Sequence, residues 1–116
     1  MKQHSSHWMI RVLAVAVAVV AALAVSPLGS AQAATPGVFE LCSGGDFSSY
    51  AEFVERGGFS TYVVEPGTCQ QFAYGGDHAE RVDIHVLDGQ YIGSLVYDGR
   101  AGVNVCTVNG PSFYVF

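Results

Sequence analysis

Arg81, Asp83, His85, Ser94 and Asn104 are the residues whose types and spacing come closest to chemistry. Asp83 and His85 stand two apart in 80–87 (ERVDIHVL). On a strand that spacing returns to the same face, so carboxylate and imidazole become neighbours. If 90–97 (QYIGSLVY) folds back as a partner, Ser94 lands opposite Asp83, and a further strand adds Asn104. The types of a Ser-His-Asp relay are then present. Such a relay also needs its nucleophile on a sharp turn beside backbone donors for the oxyanion. Ser94 would sit in mid-strand, and no G-x-S-x-G is present. The expectation is a polar face that could touch a ligand, with no catalytic residue.

Two Gly-Gly-Asp turns carry oxygen ligands: Asp46 after Gly44-Gly45, and Asp77, His78 and Glu80 after Gly75-Gly76. Calcium accepts such ligands in flexible geometry, but an Asp after glycines also bonds its own backbone in ordinary turns. EF-hand spacing is absent, and the cysteines lack the close pairs of a zinc site. The expectation is no metal and no cofactor. The surplus is aromatic, seven Phe and six Tyr. So small a domain cannot bury them all, which leaves Tyr50, Tyr62, Tyr74 and Tyr114 as candidate ligand-binding rings. A tyrosine offers a flat apolar face and a wet hydroxyl, which suits the face of a sugar.

The elements that must position these residues are strands. Gly, Pro and Asp turn signals recur about every ten residues between β-branched and aromatic runs, the pattern of an all-β sandwich or barrel. The expectation is a small antiparallel β-sandwich or flattened barrel of six to eight short strands. In 80–87, Val82, Ile84 and Val86 alternate with Arg81, Asp83 and His85. Asp88-Gly89 then predicts a two-residue type I′ turn, which pairs Val86 with Tyr91, Ile84 with Gly93 and Val82 with Leu95. Gly93 leaves space that a large neighbour can fill. After Asp98-Gly99, a single apolar face requires an odd-length loop or bulge that sets Leu95 opposite Val103. Residues 48–56 (SSYAEFVER) fit either a helical turn or a strand, and 112–116 (SFYVF) reads as a last strand tucked into the sheet.

Residues 1–33 read as a secretory signal peptide. Lys2 and Arg11 make a basic start, 12–25 is an unbroken Ala/Val/Leu run, and Ser30-Ala31-Gln32-Ala33-Ala34 is an A-x-A-type cleavage site. Fourteen apolar residues fall short of the about 20 that span a bilayer. The expected product is a secreted, extracellular domain, 34–116, that is not embedded in a membrane. In it three arginines stand against ten acids, a charge of −7. That sign opposes nucleic-acid binding, which needs a basic footprint, and opposes attraction to anionic membranes. Cys42, Cys69 and Cys106 allow one bridge and leave one thiol over. Three pairings are open. Cys69–Cys106 is preferred, because Cys42 lies near an end where chains fray. The third cysteine is then a buried apolar group or a link between two copies.

The block 56–62 (RGGFSTY), with Val64-Glu65-Pro66-Gly67-Thr68-Cys69, Tyr91-Ile92-Gly93 and Tyr97-Asp98-Gly99, resembles small secreted β-rich domain proteins of actinobacteria, as does the Ala/Val-rich leader. The resemblance covers most of 42–105. It implies location and fold and carries no functional residue across. The expected function is a secreted non-catalytic binding module, with a cell-surface or extracellular glycan or a secreted protein as ligand. The alternative is a secreted inhibitor or toxin-like effector, which calls for a protruding, disulfide-braced loop near 65–69. A small hydrolase using His85 or His78 would need a concave pocket holding a histidine beside a nucleophile.

Overall fold

The short β-branched and aromatic runs become eight strands in the computed structural model, which describes residues 33–116. They are β1 (Phe39–Ser43), β2 (Ser49–Phe53), β3 (Phe59–Ser60), β4 (Cys69–Phe72), β5 (Ala79–Val86), β6 (Tyr91–Asp98), β7 (Val103–Val108) and β8 (Ser112–Val115). The ambiguous 48–56 segment divides: its first part is β2, and Val54–Arg56 is one 3-10 turn closed by Gly57 in the left-handed region (φ 73°). The described residues are all-β, two four-stranded sheets packed into a small sandwich. One has the order β4-β1-β7-β8 and the other β3-β2-β5-β6. Every pairing is antiparallel except β1 with β7. The proposed signal peptide lies outside the described residues apart from its last position. Among the described residues, no helix is long and apolar enough to cross a membrane.

The β5–β6 hairpin keeps Val82 opposite Leu95 and Ile84 opposite Gly93. The space over Gly93 is filled by Phe113 of the other sheet, whose Cε1 would stand 2.8 Å from an added Cβ. Near the turn the expectation fails: His85, not Val86, pairs with Tyr91, after a register shift at Ile84/His85. The Val86 N–H donates to Gln90 O (2.8 Å) and the Gly89 N–H to Val86 O (2.8 Å), leaving a three-residue loop. With Gly89 at φ 98°, this is the next commonest hairpin connection.

The pairing expected after Asp98 is overturned. Strands β6 and β7 lie in different sheets, so Leu95 never meets Val103. The Ala101 and Gly102 N–H groups both donate to Asp98 O (2.9 and 2.8 Å) and turn the chain across the sandwich. Gly102 has φ 76°, and any side chain there would run into the Thr35 carbonyl. The alternation of Val103 and Val105 is satisfied by β1 as well as it would have been by β6. At this corner the Arg100 guanidinium and N–H hold Asp98, whose pKa falls to about 2. A carboxylate with a depressed folded pKa contributes stability that is complete above its ordinary value and lost as pH falls through the folded value. Carboxyl NMR titration is expected to find Asp98 ionised down to about pH 2.

Phe39, Leu41, Ala51, Phe53, Val64, Phe72, Val82, Ile84, Tyr97, Val103 and Val105 form the core. Phe53 lies edge-on to Phe39 (5.2 Å), Tyr97 (5.7 Å) and Tyr74 (5.2 Å). The disulfide joins Cys42 to Cys69, so the preferred Cys69–Cys106 pairing is wrong. Strand β1 is no fraying end; it is buried between β4 and β7. Cys42 faces Cys69 on one side and Cys106 on the other. Cys69 and Cys106 are therefore two strand spacings apart, about 10 Å, beyond disulfide reach. Cys106 is free and buried.

Candidate functional site

The Gly57-Gly58 turn brings β3 back against β2, Phe59 opposite Phe53. Strand β4 forms the neighbouring edge of the other sheet. Between these two edges lies a groove of about 360 Å³, lined by Phe59, Ser60, Tyr62, Gln71, Phe72, Ala73 and Tyr74. The Tyr74 ring stacks on Phe72 (5.3 Å, 18°) and meets Phe59 edge-on (5.0 Å, 80°). Burial, and then the nearby Tyr62, push its hydroxyl above the usual tyrosine range. Phe59 is 44% exposed and Tyr62 83% exposed, so both present ring surface outward. Gln71 supplies an amide, which donates to Glu40 Oε1 (3.1 Å).

The groove is fixed from behind by an ion pair. Arg56 Nε lies 3.0 and 3.1 Å from the two oxygens of Glu80, and Nη2 is 2.6 Å from Oε2. The same guanidinium donates to Tyr74 O (3.2 Å) and Gly75 O (2.9 Å) and covers the Phe53 ring at 5.3 Å. The hydrogen bonds that Arg56 donates to Glu80 raise the Arg56 pKa, against the cost of burial.

The outer face of β2, β5 and β6 gathers four of the five predicted polar residues. Arg81 Nε (2.8 Å) and Ser94 Oγ (2.6 Å) both donate to Asp83 Oδ1, and the Tyr91 hydroxyl meets Ser94 at 2.6 Å. Burial pushes the Asp83 carboxyl up, and the Ser94 and Arg81 bonds outweigh it and hold it below its usual range. His85 stacks on Tyr50 (5.0 Å, 13°) and lies 3.3 Å from Glu52. Ser94 thus bonds the carboxylate rather than the imidazole, which is not the order of a nucleophilic relay. Asn104 is elsewhere, buried on β7 in the other sheet. Its expected place depended on the β6–β7 pairing that does not form.

The four predicted tyrosines do not make one platform. Tyr62 and Tyr74 come together in the groove, whereas Tyr50 belongs to the polar face. Tyr114 sits on β8 opposite Cys106, 5.9 Å from the Phe116 ring. The acidic turn residues also separate. His78 and Asp77 pair with each other at 2.8 Å, Glu80 turns inward to Arg56, and the Asp46 N–H is held by Asn109. Turn 65–68 is exposed and ends at the bridged Cys69, but the Gly67 N–H donates to Ser43 O (2.7 Å) and the Ser43 N–H to Thr68 O (2.9 Å). Those bonds lay it along β1 rather than letting it protrude.

Sequence reading missed Phe59, Gln71, Glu52, Tyr91 and the Arg56–Glu80 pair. Phe59 had a usable signal, an aromatic directly after Gly57-Gly58 and so at the start of a strand. Comparison with protein-family models, with curated proteins and with solved structures finds no match to this chain.

Proposed function

We propose that this chain is a secreted, non-catalytic binding module that holds a neutral glycan in the groove between β3 and β4. The observation that carries the reading is the groove itself, with Phe59, Tyr62 and Tyr74 around about 360 Å³ and Ser60 and Gln71 among them. That volume lies in the range of small-ligand sites, about 300–1,000 Å³. Ring faces supply apolar contact to the C–H face of a sugar, and the hydroxyl and amide supply directional hydrogen bonds. The charge of −7 carried by residues 34–116 favours a neutral or cationic ligand over an anionic one. Export is supported by the basic, apolar and small-residue sequence of 1–33 and is compatible with the disulfide.

Retention of the purified domain on insoluble neutral polysaccharides, among them chitin and cellulose, is the expected result. Tyr62→Ala should lower affinity about tenfold or more, the usual loss on truncating an aromatic anchor. Because Tyr62 is exposed, the same variant should change stability by less than about 0.5 kcal/mol. Equal retention of the two proteins would refute the groove as the site.

A further inference from the structure

Outside the groove, the polar face holds three metal-ligating groups that the glycan reading does not use. Glu52 on β2 and Asp83 and His85 on β5 each offer one ligand atom, and these atoms all lie within 4.8 Å of one another. The antiparallel register makes this meeting: Glu52 is directly opposite Asp83, and Tyr50 is opposite His85.

The imidazole is held in one orientation. Its Nδ1 is 3.2 Å from Gly89 O, a carbonyl that can only accept, so Nδ1 carries the proton and donates. In the neutral ring Nε2 is then a bare lone pair. It is buried from solvent, has no hydrogen-bond partner, and lies 3.3 Å from Glu52 Oε1 without hydrogen-bond alignment. A lone pair facing a carboxylate oxygen at that distance is repulsive, and a proton or a metal cation between them relieves it. A backbone carbonyl on the far nitrogen is the usual outer partner of a ligating histidine.

The dimensions fit a metal. Two ligand atoms at about 2.1 Å from a tetrahedral zinc ion stand about 3.4 Å apart, close to the 3.3 Å between Nε2 and Oε1. Asp83 completes the set, its carboxylate steadied by Arg81 and Ser94. Tyr50 stacks on the imidazole and Tyr91 meets it edge-on at 5.9 Å, and the His85 side chain is only 14% exposed. One nitrogen and two carboxylate oxygens suit a borderline divalent transition ion rather than calcium, which takes six to eight oxygens. We infer that Glu52, Asp83 and His85 form a divalent transition-metal site of the zinc class on the outer face of β2 and β5.

The test is calorimetric titration of the metal-free protein with zinc, with calcium as the contrasting ion and X-ray absorption of the loaded protein. The inference predicts one zinc per chain, a nitrogen/oxygen shell without sulfur, and no comparable calcium binding. Removing an outer partner alone typically costs 10–100-fold in affinity, so His85→Gln and Glu52→Gln should each lose at least about tenfold. Glu52→Gln keeps shape and volume and serves if His85→Gln folds poorly. Absence of zinc binding would overturn the inference and leave a proton between His85 and Glu52. Zinc binding unchanged in both variants, or a sulfur ligand from Cys106, would overturn it too.

Discussion

Arg56→Ala is expected to destabilise the fold by about 2–3 kcal/mol, less than the about 3–5 kcal/mol of a fully buried ion pair, because the Arg56 side chain is 31% exposed. The Glu80 side chain is 2% exposed and its oxygens take three bonds from Arg56. Removing the guanidinium leaves a buried carboxylate without its counter-charge. It also frees Tyr74 O and Gly75 O and uncovers the Phe53 ring. Arg56→Lys should recover only part of the loss, because a point charge cannot reproduce the two-pronged fork. Pairing Arg56→Met with Glu80→Gln should cost less than Arg56→Ala, since no charge is then left unpaired. Urea unfolding of the variants reads all of this. An Arg56→Ala midpoint equal to the parent's would show that the pair contributes nothing.

Loss of the Cys42–Cys69 bridge should cost about 3–4 kcal/mol on the chain-entropy model, the value for a loop of its length. The bridged residues are 27 apart in sequence. A domain of about 80 residues buries a modest share of its surface, so this loss is a large part of its stability. Cys42→Ser with Cys69→Ser should show it in urea or thermal unfolding. Cys106→Ala should keep the bridge, and peptide mapping without reduction should find Cys42 linked to Cys69. A peptide linking Cys69 to Cys106 would contradict the strand order, because β1 runs between them.

The parts legible in the sequence were local. Val82, Ile84 and Val86 against Arg81, Asp83 and His85 announced β5, and most of the β5–β6 register followed from matching apolar sets. The vacancy over Gly93 pointed to a large neighbour, though not to Phe113, which comes from the opposite sheet. What failed was non-local. An alternating strand states which of its faces is apolar but not which strand it adjoins, so β7 was assigned to β6 rather than to β1 and β8. That error displaced Asn104 from the polar face, and the same blindness to neighbours put the bridge on the wrong cysteine pair. Arg56 and Glu80 are 24 residues apart, and no short-range pattern could join them. The groove was half visible, because Tyr62 and Tyr74 stood out by type while Phe59 and Gln71 became neighbours only when two sheet edges met.

The most direct test of the account is an NMR titration of the purified domain with short neutral oligosaccharides, such as chitin and cellulose fragments. Shifts should concentrate at Phe59, Ser60, Tyr62, Gln71 and Tyr74, saturate with ligand, and vanish in Tyr62→Ala. Saturable shifts confined to another surface, or no shifts at millimolar ligand, would contradict it.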